Sequence, residues 1–258
     1  EKEKMKSTLK NLFFQLAALF PQRMENRATL LMYHSIATSK EYFSSVPLAD
    51  FEAQMNHLVK TGRKVIPLAQ LVEKISKHEP LSGEVEITFD DGYKDNFTAA
   101  FPVLKRLGLP ATIFITTDLI AATDGRRIPM LSEDELKEMH ASGLIDIEPH
   151  SMTHPKLAKQ TLLDATREIG ESKKEIEALL QKKCSLFAYP YGSYNDETVS
   201  ILRALGFGAA GTVVEGTVAA SDGVFTLKRN SIDQLTTWPQ FLGKISRSID
   251  LYHSLKGS

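Results

Sequence analysis

With 258 residues, 31 Lys+Arg set against 32 Asp+Glu and no basic run, the chain has no charge excess to draw it broadly to nucleic acid. Its 42% hydrophobic content can build a sizeable core, in one large domain or two small ones. The single cysteine, Cys184, excludes an internal disulfide and reads as a half-buried thiol near the start of a strand.

The first element in chain order is an N-terminal helix. Leu9, Leu12, Phe13, Leu16, Leu19 and Phe20 fit one helical face. The same run follows Lys6 and Lys10 as a signal core would. Gln15 interrupts it, however, Pro21 ends it, and no small-x-small cleavage pattern follows. It is too short to span a bilayer. The expectation is a terminal helix packed on the domain, with peripheral membrane contact or a targeting remnant as alternatives. Residues 1–27 are accordingly set apart as an extension and residues 28–258 as the main domain.

From there short apolar runs alternate with helical patterns. The strand candidates are Thr29–Tyr33, Lys64–Ile66, Val85–Phe89, Thr112–Thr116, Ile145–Glu148, Leu186–Tyr189, Phe207–Val213 and Phe225–Lys228. Helices are predicted over Asp50–Thr61, over Asn96–Leu107 with a bend at Pro102, from a capping box at Ser132–Glu135 to Ser142, over a surface-laid Thr161–Gln181, over Glu197–Leu205, and over Trp238–Ser248. A repeated strand–helix unit implies parallel strands joined by right-handed crossovers, and seven or eight units favour an α/β barrel over an open sheet. In both architectures chemistry collects at the C-terminal ends of the strands. His34, Asp90, Asp91, His150, Tyr191 and Arg229 all follow strand candidates.

Two segments carry the chemistry. Thr88-Phe89-Asp90-Asp91-Gly92 places adjacent carboxylates where an apolar strand meets a glycine turn. Two carboxylates packed together repel, so burying both needs a cation or a shared proton. His150-Ser151-Met152-Thr153-His154 offers two imidazoles four apart; Pro149 and Pro155 favour a turn over a helix here. One Asp and two His make a three-ligand metal site with an open position, and the second Asp is left to move protons.

These segments resemble the polysaccharide deacetylase family, carbohydrate esterases with a NodB-like domain, over about residues 28 to 232. The family's T-F-D-D-G motif stands as Thr88–Gly92 and its H-[ST]-x-x-H motif as His150–His154. Its R-x-P-Y motif appears in part as Ala188-Tyr189-Pro190-Tyr191. The resemblance implies a distorted (β/α)7 barrel that removes N-acetyl groups from sugar polymers. It implies Asp90 as base, Asp91, His150 and His154 as ligands of a divalent metal, and the backbone N–H of Tyr191 as oxyanion donor. Zinc is the default ion, with cobalt, nickel or iron as substitutes.

The family's C-terminal L-x-H acid has no match here. Leu31-Met32-Tyr33-His34 instead resembles the early Tyr-His motif of deacetylases acting on poly-β-1,6-N-acetylglucosamine, which implies His34 as the acid. Ala188 stands where the family has an Arg beside the base, and Arg229 is the candidate replacement. Trp238, like Tyr191, could stack a sugar but is expected to be packing. The implied substrate is an N-acetylated exopolysaccharide, peptidoglycan or chitin-like chain. This points to the cell envelope, periplasmic or secreted, with a cytoplasmic or membrane-associated location as the alternative. Two other readings stay open: a catalytically weak carbohydrate-binding barrel, and a metal-dependent O-acetyl esterase.

Overall fold

The computed structural model describes residues 2–18, 24–37, 44–122 and 129–256. In chain order its elements are α1 (Lys2–Ala18), β1 (Arg27–Tyr33), β2 (Ser35–Ala37), β3 (Ser45–Pro47), α2 (Leu48–Lys60), α3 (Leu68–Ser76), β4 (Val85–Asp91), α4 (Phe101–Leu107), β5 (Ala111–Ile115), α5 (Glu133–Ala141), β6 (Ile145–Pro149), α6 (Leu162–Leu180), β7 (Leu186–Ala188), α7 (Asp196–Ala204), β8 (Ala209–Gly211), β9 (Val218–Ala219), β10 (Asn230–Ser231), α8 (Trp238–Lys244) and α9 (Ser248–Lys256).

The parallel strands run in the order β10-β1-β4-β5-β6, and β7 and β8 form a second parallel pair. A parallel bridge from Gly211 to Leu227 leads β8 back toward β10. Between β6 and β7 a side chain makes the join: the Glu148 carboxylate accepts hydrogen bonds from the N–H groups of Ser185 and Leu186, both 3.1 Å to Oε2. Lys182 in turn donates to Glu148, at 2.9 Å. The α/β expectation therefore holds, with a central parallel sheet and β7 held beside β6 through the Glu148 side chain.

Successive strand residues face opposite sides. On β4, Val85, Ile87 and Phe89 join the layer packed against the helices, with Phe51, Met55 and Leu58 of α2 and Leu104 of α4. Glu86, Thr88 and Asp90 take the other face and are buried. Tyr33 and Phe89 pair across β1 and β4, and both rings pack on Phe51, at 5.3 and 5.9 Å. Tyr33 and Phe89 each precede a candidate site residue, so this cluster seats His34 and Asp90. Truncating one such ring costs ~3–5 kcal/mol.

Several sequence expectations change. Lys64–Ile66 makes one bridge, Val65 to Val85, and Phe225 lies in a 3₁₀ turn. The segment Asn96–Leu107 begins with a π turn over Asn96–Ala100 that runs without a break into α4, and Pro102 follows directly on that turn. The capping box of α5 forms as expected. α6 lies on the surface as expected, with Arg167, Lys174 and Glu175 exposed and Ala165, Ile169, Ser172 and Ile176 burying the opposite stripe. Trp238–Ser248 is two helices, interrupted at Ile245 and resumed at Ser248. The helix α3 was not anticipated; Leu68, Leu71, Val72 and Ile75 bury its apolar side.

Among the described side chains of α1 the buried one is Phe14, outside the expected face, whereas Leu9, Leu12 and Leu16 are exposed. Leu19 and Phe20 of that face lie outside the described residues. Gly243 of α8 leaves the space that the Phe14 ring fills, and Tyr252 of α9 packs on the ring at 5.2 Å. Packing accounts for this helix, and membrane contact gains no support from it. No described helix is long and apolar enough to cross a membrane.

Candidate metal centre and active site

β4 ends in the aspartate pair. A regular strand would turn Asp90 and Asp91 to opposite faces. Asp91 has φ 73°, followed by Gly92 at φ 86°, so alternation breaks and both carboxylates line one cavity. Gly92 is required here, since a Cβ would lie 2.7 Å from Ile115 Cδ1.

Two strands over, β6 delivers the histidines. The His150 N–H donates to the Ile115 carbonyl at 2.8 Å, and the register Asp91↔Ile115↔Pro149 brings the end of β6 level with Asp91. A turn with Ser151 at φ 68° and His154 at φ 62° then folds the second imidazole back. Asp91 Oδ1 lies 3.3 Å from His154 Nε2 and 3.7 Å from His150 Nε2. One ligand atom from each residue lies within 4.8 Å of the others.

The donor set fits a divalent ion. His150 Nδ1 lies 2.7 Å from the Ala188 carbonyl, which can only accept, so Nδ1 carries the hydrogen and Nε2 presents its lone pair to Asp91. Burial pushes the His150 pKa down to about 4, against the raising effect of Asp90 and Asp91, so its imidazole is neutral at neutral pH. A neutral ring and a carboxylate facing one point are complementary to a cation. Ala188, conspicuous in the sequence for lacking a guanidinium, contributes its backbone carbonyl.

Asp90 is 3% exposed and Arg229 is fully buried. Their contact is bidentate: Nη1 to Oδ1 at 2.6 Å and Nη2 to Oδ2 at 2.8 Å. Arg229 Nε donates to the Thr212 carbonyl at 2.9 Å, which aims the fork. Burial alone would raise the Asp90 pKa. The Arg229 charge, His150 and the Arg229 hydrogen bonds outweigh it and hold the carboxyl well below its usual range.

The parallel register Tyr33↔Phe89 carries one step further to set His34 beside Asp90. Asn96 Nδ2 donates to the His34 carbonyl at 2.7 Å, and Ser35 Oγ donates to Asp95 at 2.5 Å. These anchors were missed in the sequence, where a polar pair four residues past the aspartates was their only trace. Tyr191, at φ 57° and 60% exposed, packs edge-on to His154 at 4.5 Å. His34, Asp90, Asp91, His150, His154 and Tyr191 thus share one cavity of about 440 Å³. Trp238 is outside it, packed on His57 and Phe241. His253 is outside as well, 3.2 Å from Glu215.

The sequence profile described as Polysaccharide deacetylase matches residues 77–210, just over half the chain and inclusive of both motifs. YxkH of Bacillus subtilis, which carries the same family name, is 34% identical over 201 residues, covering 78% of this chain and 69% of its own. The chain belongs to the polysaccharide deacetylase family. This polysaccharide deacetylase is also 29% identical to the poly-β-1,6-N-acetyl-D-glucosamine N-deacetylase of Staphylococcus aureus (strain MSSA476), over 206 residues and 70% of each chain. Among solved structures, the Streptococcus pyogenes deacetylase PplD, in complex with acetate, superposes with a TM-score of 0.77 at 25% identity, covering 85% of this chain and 98% of that one. Family membership makes the chain a hydrolase of amide bonds in N-acetylated polysaccharides, with the NodB-type fold.

Proposed function

We propose that this deacetylase removes N-acetyl groups from N-acetylglucosamine units in a metal-dependent reaction at the cavity described above, and that a β-1,6-linked exopolysaccharide is the favoured polymer. The observation that carries the reading is the buried Asp90–Arg229 pair set against the Asp91, His150 and His154 cluster in that cavity. The S. aureus relative, by its name, acts on the β-1,6-linked polymer, and the S. pyogenes structure holds acetate, the product expected of deacetylation. Residues 28–258 form the catalytic domain in this reading, with residues 1–27 as an extension. The cell envelope is the proposed site of action, because such polymers lie there.

Asp91, His150 and His154 would hold the ion. Bound there, a divalent metal, zinc by donor type, supplies Lewis acidity that polarises the acetyl carbonyl and lowers the pKa of water toward ~7. Asp90, kept ionised and aimed by Arg229, accepts a proton from the attacking water. The Tyr191 N–H donates to the oxyanion, a contact worth ~2.7–4 kcal/mol. His34 gives a proton to the sugar nitrogen as the C–N bond breaks. Acetate and a free amine leave, so water is consumed and the atoms balance.

The reading of a weak carbohydrate-binding barrel rested on Ala188 in place of Arg. The Arg229 contact removes that ground. The decisive assay is acetate release from β-1,6 and β-1,4 N-acetylglucosamine oligomers by ion-loaded protein. Faster release from the β-1,6 series, abolished in Asp90→Asn, is expected. Ion-loaded protein that releases acetate from O-acetyl esters but from no N-acetylated oligomer would overturn the reading in favour of the esterase.

A further inference from the structure

The turn that carries His154 is built from backbone that the chain does not adopt readily, with two non-glycine residues at positive φ, Ser151 and His154, three apart. Something must hold it there. The Ser151 and Met152 carbonyls accept from the N–H groups of Thr117 and Asp118, at 3.2 and 3.1 Å. On the other side stands Glu168 of α6. Its Oε2 accepts from the N–H groups of Met152 and Thr153, at 3.0 and 2.9 Å, and its Oε1 from the Thr153 hydroxyl at 2.7 Å. Within the turn, the His154 N–H donates to Ser151 Oγ at 3.0 Å.

Glu168 is 7% exposed and occupies the buried stripe of α6 with Ala165, Ile169, Ser172 and Ile176. Helical packing alone would place an apolar side chain there. A buried carboxylate is costly unless its hydrogen bonds are made, and all three of those above go to Met152 and Thr153, two of the three residues between the histidines.

We infer that Glu168 is a positioning residue that pre-forms the ion site: by gripping Met152 and Thr153 it holds His154 toward Asp91 before any ion arrives. The inference rests on the reading of Asp91, His150 and His154 as ion ligands. Glu168 acts through the backbone, so it sets ion affinity and need not take part in the chemistry. Outer contacts of this kind typically account for ~10–100-fold in metal affinity.

The test is cobalt(II) affinity of the metal-stripped full chain, measured by competition with a chelator, alongside thermal melting without metal. Glu168→Ala is expected to bind cobalt ~10–100-fold more weakly than the parent. Glu168→Gln is expected to recover most of the affinity, because one amide oxygen can accept from both N–H groups while its NH₂ donates to Thr153 Oγ. Equal affinity in Glu168→Ala and the parent overturns the inference, as does a Gln variant as weak as the Ala one. Should Glu168→Ala not fold, Thr153→Val removes a single bond of the three. A several-fold loss there supports the positioning role and no change refutes it. A parent protein that binds no cobalt would sink the ion reading and this inference together, whereas a parent that binds cobalt no more tightly than Glu168→Ala sinks the inference alone.

Discussion

Arg229 and Asp90, 139 positions apart in the chain, meet through two parallel hydrogen bonds of 2.6 and 2.8 Å with both side chains sealed from solvent. A buried ion pair is weak evidence of stability, since desolvation offsets most of the attraction. Its value here is orientation. Both carboxylate oxygens are fixed, and the charge on Asp90 is retained despite burial.

Replacing Arg229 by Met leaves Asp90 buried without its partner. In the parent, a depressed Asp90 pKa stabilises the fold at pH values above the unfolded 3.8, and that contribution fades as pH falls through the lower folded value. In Arg229→Met burial acts unopposed by the guanidinium, so the pKa rises. The acid limb of the kcat/KM profile should move to higher pH, and denaturant unfolding should show a loss of ~3–5 kcal/mol. An unmoved acid limb would count against Arg229 as the group that sets the ionisation of Asp90.

Gly211 makes room for that guanidinium. A Cβ at Gly211 would lie 2.8 Å from Arg229 Nε and 2.9 Å from Cδ, and Arg229 is already tied to the Thr212 carbonyl and to both Asp90 oxygens. Gly211→Ala should push the fork off Asp90. We expect kcat to fall about tenfold, ~1.4 kcal/mol, with KM nearly unchanged and the ion retained. A parent-like kcat together with a crystal structure showing the bidentate contact intact would refute this.

Three substitutions should separate ion binding from proton transfer. His150→Ala removes a ligand and should lose the ion together with activity. Asp90→Asn and His34→Gln should keep the ion, measured by elemental analysis, and lose ~10²–10⁴-fold in turnover. A His34→Gln enzyme with normal turnover would reassign the acid.

Glu86 faces the sheet interior two positions before Thr88, fully buried, with neither oxygen hydrogen-bonded among the described residues. Burial, reinforced by Glu84 and opposed by Lys74, raises its pKa well above 4.5. The folded state therefore keeps a proton that the unfolded chain releases above about that value. Stability falls as pH rises, by up to about 1.4 kcal/mol per pH unit until the folded pKa is reached, and the penalty vanishes at lower pH. Glu86→Gln removes the titration. Its stability gain in denaturant unfolding should be larger at pH 7.5 than at pH 5, and equal gains at both would refute the assignment.

The site was legible in the sequence where function needs a short, fixed order of residues. Thr88–Gly92 and His150–His154 are of this kind, and the structure brings Asp91, His150 and His154 together as the motifs imply. Helix starts set by local hydrogen bonds were legible too, as at Ser132 and Glu135. Apolar periodicity was less reliable at the edges. It favoured Leu9, Leu12 and Leu16 over Phe14, because only the partner helix α8, with its gap at Gly243, decides which face of α1 is covered. The charged side of α6 is solvated as expected, but periodicity gave no sign that Glu168 belongs to the buried stripe.

By itself the sequence determined which residue types make up the candidate site, the alternation of strand and helix, and the family, since each depends on residues near one another in the chain. Only the tertiary structure decided that Arg229 serves Asp90, that the Ala188 carbonyl orients His150, and that Glu168 holds the turn before His154. Those contacts join strands and helices across sheet register and strand order, long-range pairings with no local period to announce them.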